Sequence, residues 1–186
     1  FIWDSLAAAA ACDLCGVRPE SITDALRAYK GAGRRFQFKG KINGCQIVDD
    51  YAHHPTEVAV TLDAASKIPH RRLIACYQPH TYSRTKALMD DIAKALHEAD
   101  LVVLTEIFPA RETDNLGISS QDLAKKVEAL GTPCHVFHTF EEIEDWARKN
   151  CGENDLFVTM GGGDVYKIAD NLTNFHYEYP QDEKKA

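Results

Sequence analysis

Four short strings in this sequence gather the residue types that carry acid–base and anion chemistry. Asp49-Asp50-Tyr51-Ala52-His53-His54-Pro55 sets two carboxylates beside two imidazoles. Gln78-Pro79-His80-Thr81-Tyr82-Ser83-Arg84-Thr85 holds another imidazole and a guanidinium. Thr105-Glu106-Ile107-Phe108-Pro109-Ala110-Arg111-Glu112 adds carboxylates and an arginine, and Met160-Gly161-Gly162-Gly163-Asp164 adds a glycine run. Imidazoles exchange protons near neutral pH, and guanidinium pairs with carboxylate or phosphate. Glycines let backbone N–H groups approach an anion at a helix start. Each string also has a plainer reading. Asp49 and Asp50 can cap the turn and helix that follow. His53-His54 before Pro55 can be a solvated turn, and Gly161–Gly163, which is not GxGxxG, a tight turn. Arg34-Arg35 can be a solvated linker pair.

The elements decide between these readings. Ser5 to Leu14 is Ala/Leu-rich and stops at Gly16, and a second helix follows a cap near Ser21 and runs to about Tyr29. Gly31-Ala32-Gly33 breaks the chain there. Phe36–Lys41 and Cys45–Val48 flank Asn43-Gly44, a hairpin signal. Beyond it, helices over 56–66, 86–97, 120–130 and 140–150 alternate with strands over 72–77, 101–104, 134–137 and 156–159. A final helix starts near Asp164, and a polar tail covers 173–186. Such alternation predicts an α/β fold, a mostly parallel sheet with helices on both faces. Ligands bind outside the carboxyl ends of such strands. Each of the four strings directly follows a strand, so all converge on one rim, and the other strand ends carry nothing comparable. Arg84 falls ahead of the 86–97 helix in this reading, against the dipole preference.

The composition narrows the function. The 186 residues, 45% apolar and 26% charged, suffice for one domain or slightly more. A net charge of −7 argues against a dedicated nucleic-acid binder. No apolar run approaches a membrane span. Six scattered cysteines, with Cys12 and Cys15 the lone CxxC, predict reduced thiols and a cytoplasmic setting rather than a zinc site. The chain holds no GxxxxGK[ST] loop for ATP phosphates. Three classes can use the rim: an ATP-dependent ligase, a metal-dependent phosphohydrolase built on Asp50 with His53-His54, and a stand-alone small-anion binding module.

The strings GAGRRFQFKGKINGCQIVDDYAHHPTEV, YQPHTYSRT and TMGGGDVYKIAD resemble the Mur ligase family, over nearly all of residues 1–172. The resemblance implies three domains in the whole enzyme. Residues 1–32 would be the helical end of a central ATP-binding domain, and 33–172 a Rossmann-like C-terminal domain. It implies a bacterial, cytoplasmic reaction of peptidoglycan synthesis. ATP phosphorylates the carboxyl of UDP-N-acetylmuramate, and L-alanine displaces phosphate to form an amide. ATP and magnesium would be held mainly by the central domain, with no metal ligand in this chain. By resemblance Arg35 reaches the ATP phosphates and Asp50 the nucleotide. Tyr51, His53, His80 and Arg84 receive the substrates, with His53, His80 and Arg84 at the reacting end and Arg84 on the amino acid carboxylate. Thr81 stands where some members carry a second arginine.

Overall fold

The structure, a computed structural model, describes residues 2–29 and 31–175. The chain divides into two compact units, Phe1–Ala32 and Gly33–Ala186. The first holds α1 (Ile2–Leu14) and α2 (Pro19–Ala28). Gly16 ends α1 at φ 77°, where a missing Cβ removes the strain. α2 begins at Pro19 rather than beyond Ser21. Proline is preset to helical φ, and its missing N–H is an orphan at that position anyway.

In the second unit Asn43-Gly44, both at positive φ, close the hairpin between β1 (Gln37–Ile42) and β2 (Cys45–Asp50). β2 then runs parallel with β3 (Arg72–Tyr77), β4 (Leu101–Leu104), β5 (Cys134–Val136) and β6 (Asp155–Met160), in the order β1-β2-β6-β3-β4-β5. The helices are α3 (Pro55–Ser66), α4 (Tyr82–Leu96), α5 (Ser120–Ala129), α6 (Phe140–Asn150) and α7 (Tyr166–Thr173). Alternate strand residues face opposite sides. Val48, Ala75, Tyr77 and Val158 pack with α3, α4 and α5, while Ile47, Cys76 and Phe157 pack with α6 and α7. Helices therefore cover both faces, and the strands read as unbroken apolar runs for that reason. Cys45, Cys76 and Cys151 are buried, Cys134 is half-buried, and Cys12 and Cys15 are exposed; all six are free thiols.

Three boundaries beside the crevice differ from the sequence expectation. Asp49 and Asp50 are the last residues of β2, not the turn after it, because pairing with β6 continues to Asp50 opposite Met160. α4 starts at Tyr82, not at Lys86. Its first N–H groups find a carboxylate 30 residues away in sequence, at Glu112, which no local pattern reveals. α7 starts at Tyr166 rather than near Asp164, and the Val165 N–H at its N-cap donates to the Gln78 side chain at 3.2 Å. Thr173 still belongs to α7, and the rest of the expected tail from residue 176 lies outside the described residues.

β2 and β3 are each followed by a helix on one face, while β6 between them is followed by α7 on the other. Connections that leave in opposite directions open a crevice at the carboxyl ends.

Candidate active site

The floor of the crevice is the glycine run after β6. A Cβ on Gly162 would stand 3.3 Å from the rings of both His53 and His80. A Cβ on Gly163 would lie 2.5 Å from Gln78 Oε1 and 2.9 Å from the Phe108 ring. The histidines can approach this backbone because nothing projects from it. Across the turn the rings form a file: Tyr51 to His53 at 5.4 Å, His53 to His80 at 5.6 Å, His80 to Phe108 at 5.4 Å between centroids.

His53 is held by its neighbours. Its Nδ1 lies 3.1 Å from the Tyr51 carbonyl, and the buried Tyr77 hydroxyl donates to the His53 carbonyl at 3.0 Å. Glu57 accepts the backbone N–H groups of His53 and His54, each at 3.1 Å. Burial pushes the Glu57 carboxyl up, but these two N–H groups outweigh it and hold it below the usual range. His54 itself is exposed and caps α3, accepting the Thr56 N–H at 3.3 Å. It serves the helix, as the plainer reading of that residue has it.

His80 Nδ1 is shielded from water and has no hydrogen-bond partner among the described residues. Burial, then the charge of Arg84 and the neighbouring His53, lower its pKa, so the imidazole is neutral at neutral pH. Arg84 lies inside the first turn of α4, not ahead of the helix. Arg84 is half-buried, and its guanidinium makes no hydrogen bond or ion pair among the described residues. A cation there opposes the helix dipole, so α4 gains nothing from it. Thr81, at φ 62° and ψ 145°, caps α4 through its hydroxyl, 3.4 Å from the Arg84 nitrogen. The strained backbone is pinned where the Thr81 N–H donates to the Phe108 carbonyl at 2.8 Å.

Asp50 is 7% exposed, and both its oxygens accept backbone N–H groups, from Phe36 at 2.7 Å and Ala52 at 2.8 Å. Its carboxylate thus ties the segment entering β1 to the turn bearing Tyr51 and His53. Arg35 is exposed, with its guanidinium 5.4 Å from the Tyr51 ring centroid. Arg111 is exposed and unpaired among the described residues.

Residue type alone gives Arg34, Gln78 and Phe108 no role in the site, yet all three line the glycine turn. Gln78 is 5% exposed and braces the glycine turn, its N–H on the Met160 carbonyl at 2.9 Å. Arg34 is no solvated linker residue: its Nε lies 3.1 Å from Asp49 Oδ2, a carboxylate with no exposure. Burial pushes the Asp49 carboxyl up, against the Thr159 hydroxyl and Arg34. A signal for Arg34 did exist, since a carboxylate inside an apolar strand demands a buried partner.

The family described as Mur ligase, glutamate ligase domain, matches residues 34–163, which contain the whole crevice. The chain belongs to this family. The UDP-N-acetylmuramate–L-alanine ligase of Agathobacter rectalis is 51% identical over 169 residues, covering 91% of this chain and 37% of the relative. That of Lachnospira eligens is 50% identical over 171 residues, covering 92% and 37%. This Mur ligase domain therefore spans little more than a third of those relatives. Among solved structures, the UDP-N-acetylmuramate-alanine ligase of Thermotoga maritima superposes with a TM-score of 0.74 at 24% identity, covering 93% of this chain and 36% of that one, a likeness of fold.

Among the described residues no three His, Cys, Asp or Glu side chains group as a metal site requires. No such group gathers around Asp50, His53 and His54, and the phosphohydrolase alternative is not favoured.

Proposed function

We propose that the chain is the C-terminal part of a cytoplasmic, ATP-dependent ligase that joins L-alanine to UDP-N-acetylmuramate in peptidoglycan synthesis. Residues 1–32 are read as the helical end of its central ATP-binding domain. The observation that carries the reading is the unpaired Arg84 guanidinium beside neutral His80, in a chain half identical to ligases of that name. The reaction balances in two steps. The γ-phosphoryl of ATP passes to the muramate carboxylate, releasing ADP. The L-alanine nitrogen then attacks the acyl carbon, the C–O bond to phosphate breaks, and the amine gives up its proton.

In this chain's share of that reaction, Arg84 takes the L-alanine carboxylate bidentately. Neutral His80, with His53 beside it, accepts the proton that the attacking amine loses. Tyr51 and His53 wall the muramoyl end. Arg35, exposed at the entrance, meets the ATP phosphates, and Asp50 holds the nucleotide from the end of β2. ATP and magnesium rest mainly on the remainder of a longer protein, since this sequence has no phosphate loop.

The test is amide formation from UDP-N-acetylmuramate, ATP and L-alanine. The longer protein carrying this chain should form the product, and the 186-residue chain by itself should form none. Product from the chain alone, or none from the longer protein, overturns the reading.

A further inference from the structure

We propose that Arg34 is a positioning residue that fixes the glycine turn of the active site, an inference that rests on the ligase reading above. Its guanidinium reaches three groups in two segments at once, the end of β2 and the glycine turn. Nε binds the buried Asp49 carboxylate at 3.1 Å, Nη2 donates to the Gly161 carbonyl at 2.7 Å, and Nη1 donates to the Gly163 carbonyl at 3.2 Å. The guanidinium is stacked by Tyr51 and Tyr166, whose ring centroids lie 4.9 Å and 4.5 Å away. Its backbone sits at φ 57°, unusual for a residue with a side chain. That conformation is held by the Arg34 N–H donating to Gln37 Oε1 at 3.0 Å and by the Tyr51 N–H donating to the Arg34 carbonyl at 2.8 Å. A segment so constrained over-determines one orientation of the side chain.

Peptide planarity turns this clamp into an orienting device. In a trans peptide the C=O and the next N–H point in opposite directions. With the Gly161 and Gly163 carbonyls drawn to Arg34, the N–H groups of Gly162 and Asp164 must face away from it. Neither of those N–H groups, nor that of Gly163, has a hydrogen-bond partner among the described residues. They lie in the turn whose Gly162 stands against His53 and His80. Arg34 therefore presents free donors in fixed register with the imidazoles, where the charge of the transferring acyl group develops. It touches no substrate itself. A lysine keeps the charge but cannot span two carbonyls and a carboxylate in one plane.

The experiment compares wild type with Arg34→Lys in two ways. In the 186-residue chain, the amide resonances of Gly161, Gly162 and Gly163 should move, while those of Gly44 and Gly131 stay. In the longer protein, kcat per folded molecule for amide formation should fall about tenfold or more, with a smaller change in the KM for L-alanine, whatever the shift in Tm. A residue that merely stabilised the fold would lower Tm and leave kcat per folded molecule intact, which overturns the proposal. Unmoved glycine amides overturn it as well. Should Arg34→Lys not fold, Asp49→Asn loosens one anchor of the clamp. It must then move the same three amides in the same direction, and their standing still overturns the proposal. Failure of the ligase reading has its own signature, absence of product from the wild-type longer protein, and the amide resonances then decide the role of Arg34 alone.

Discussion

At the scale of residues, the site is a set of side chains freed by backbone that has been cleared for them. Arg84 has no partner among the described residues, so its removal should cost binding rather than stability. A charge-assisted bidentate pair contributes about 1.5–3 kcal/mol, which is roughly 10- to 100-fold in affinity. Arg84→Ala in the longer protein should therefore raise the KM for L-alanine by that order with Tm unchanged; an unaltered KM in steady-state kinetics would show that the carboxylate goes elsewhere. The glycines separate in the same manner. Gly163→Ala drives a methyl to 2.5 Å from Gln78 Oε1 and should destabilise by about 1–3 kcal/mol in urea unfolding. Gly162→Ala meets two imidazole rings at 3.3 Å, so it should fold nearly as well and lose activity. Equal unfolding midpoints for the two variants would refute this contrast. Residue types alone point to His53, His80 and Arg84, because imidazole and guanidinium are conspicuous after apolar strands. Arg34 was not legible, because its partners Asp49, Gly161 and Gly163 are separated from it by up to 129 residues.

At the scale of elements, local signals served where the physics is local. Asn43-Gly44 dictates its hairpin, and Pro55 with Glu57 dictates the start of α3. They failed at α4, whose first turn is capped by Glu112 from the β4–α5 connection. That carboxylate accepts the Tyr82 N–H at 2.5 Å and the Ser83 N–H at 3.1 Å, and takes the Ser83 hydroxyl as well. The Ser83 hydroxyl first, with the two N–H groups, holds the Glu112 carboxyl below its ordinary range. A depressed carboxyl stabilises above its unfolded pKa and loses that contribution as pH falls through the folded value. Glu112→Gln should accordingly speed hydrogen exchange at the Tyr82 and Ser83 amides at neutral pH. Wild type should approach the variant's rates once acid protonates Glu112, after correction for intrinsic exchange. Since α4 carries Arg84, the same variant should weaken L-alanine use. Exchange rates that Glu112→Gln leaves unchanged would mean Thr81 suffices as the cap.

At the scale of the whole molecule, the α/β unit has two poles with opposite electrostatic logic. The carboxyl pole leaves Arg84 unpaired among the described residues, whereas at the amino pole Arg71, Arg72 and Gly152 converge on Asp155. Arg71 Nε and Nη2 lie 3.1 Å and 3.0 Å from its oxygens, Arg72 Nη2 2.9 Å, and the Gly152 N–H 3.0 Å. Burial raises the Asp155 carboxyl, but the two arginines and Gly152 together hold it below the usual aspartate range. Asp155 and Met160 are the two ends of one strand, which puts the amino pole about 17 Å from the glycine turn. Asp155→Asn should thus lower stability at pH 7 without touching the site. Arg71 is 61% exposed and its share is screened by water, so the loss should be about 2 kcal/mol rather than the larger cost of a sealed ion pair. The sign with pH is fixed by the direction of the shift. Wild type keeps the advantage above about pH 3.9, the unfolded value, and loses it as pH falls through the lower folded one, where both proteins carry a neutral side chain. Urea unfolding should show midpoints well apart at neutral pH and converging in strong acid, with the Gly161–Gly163 amide resonances unmoved throughout. A gap that persists undiminished in acid would mean that the shape of the carboxylate, not its charge, holds the amino pole together.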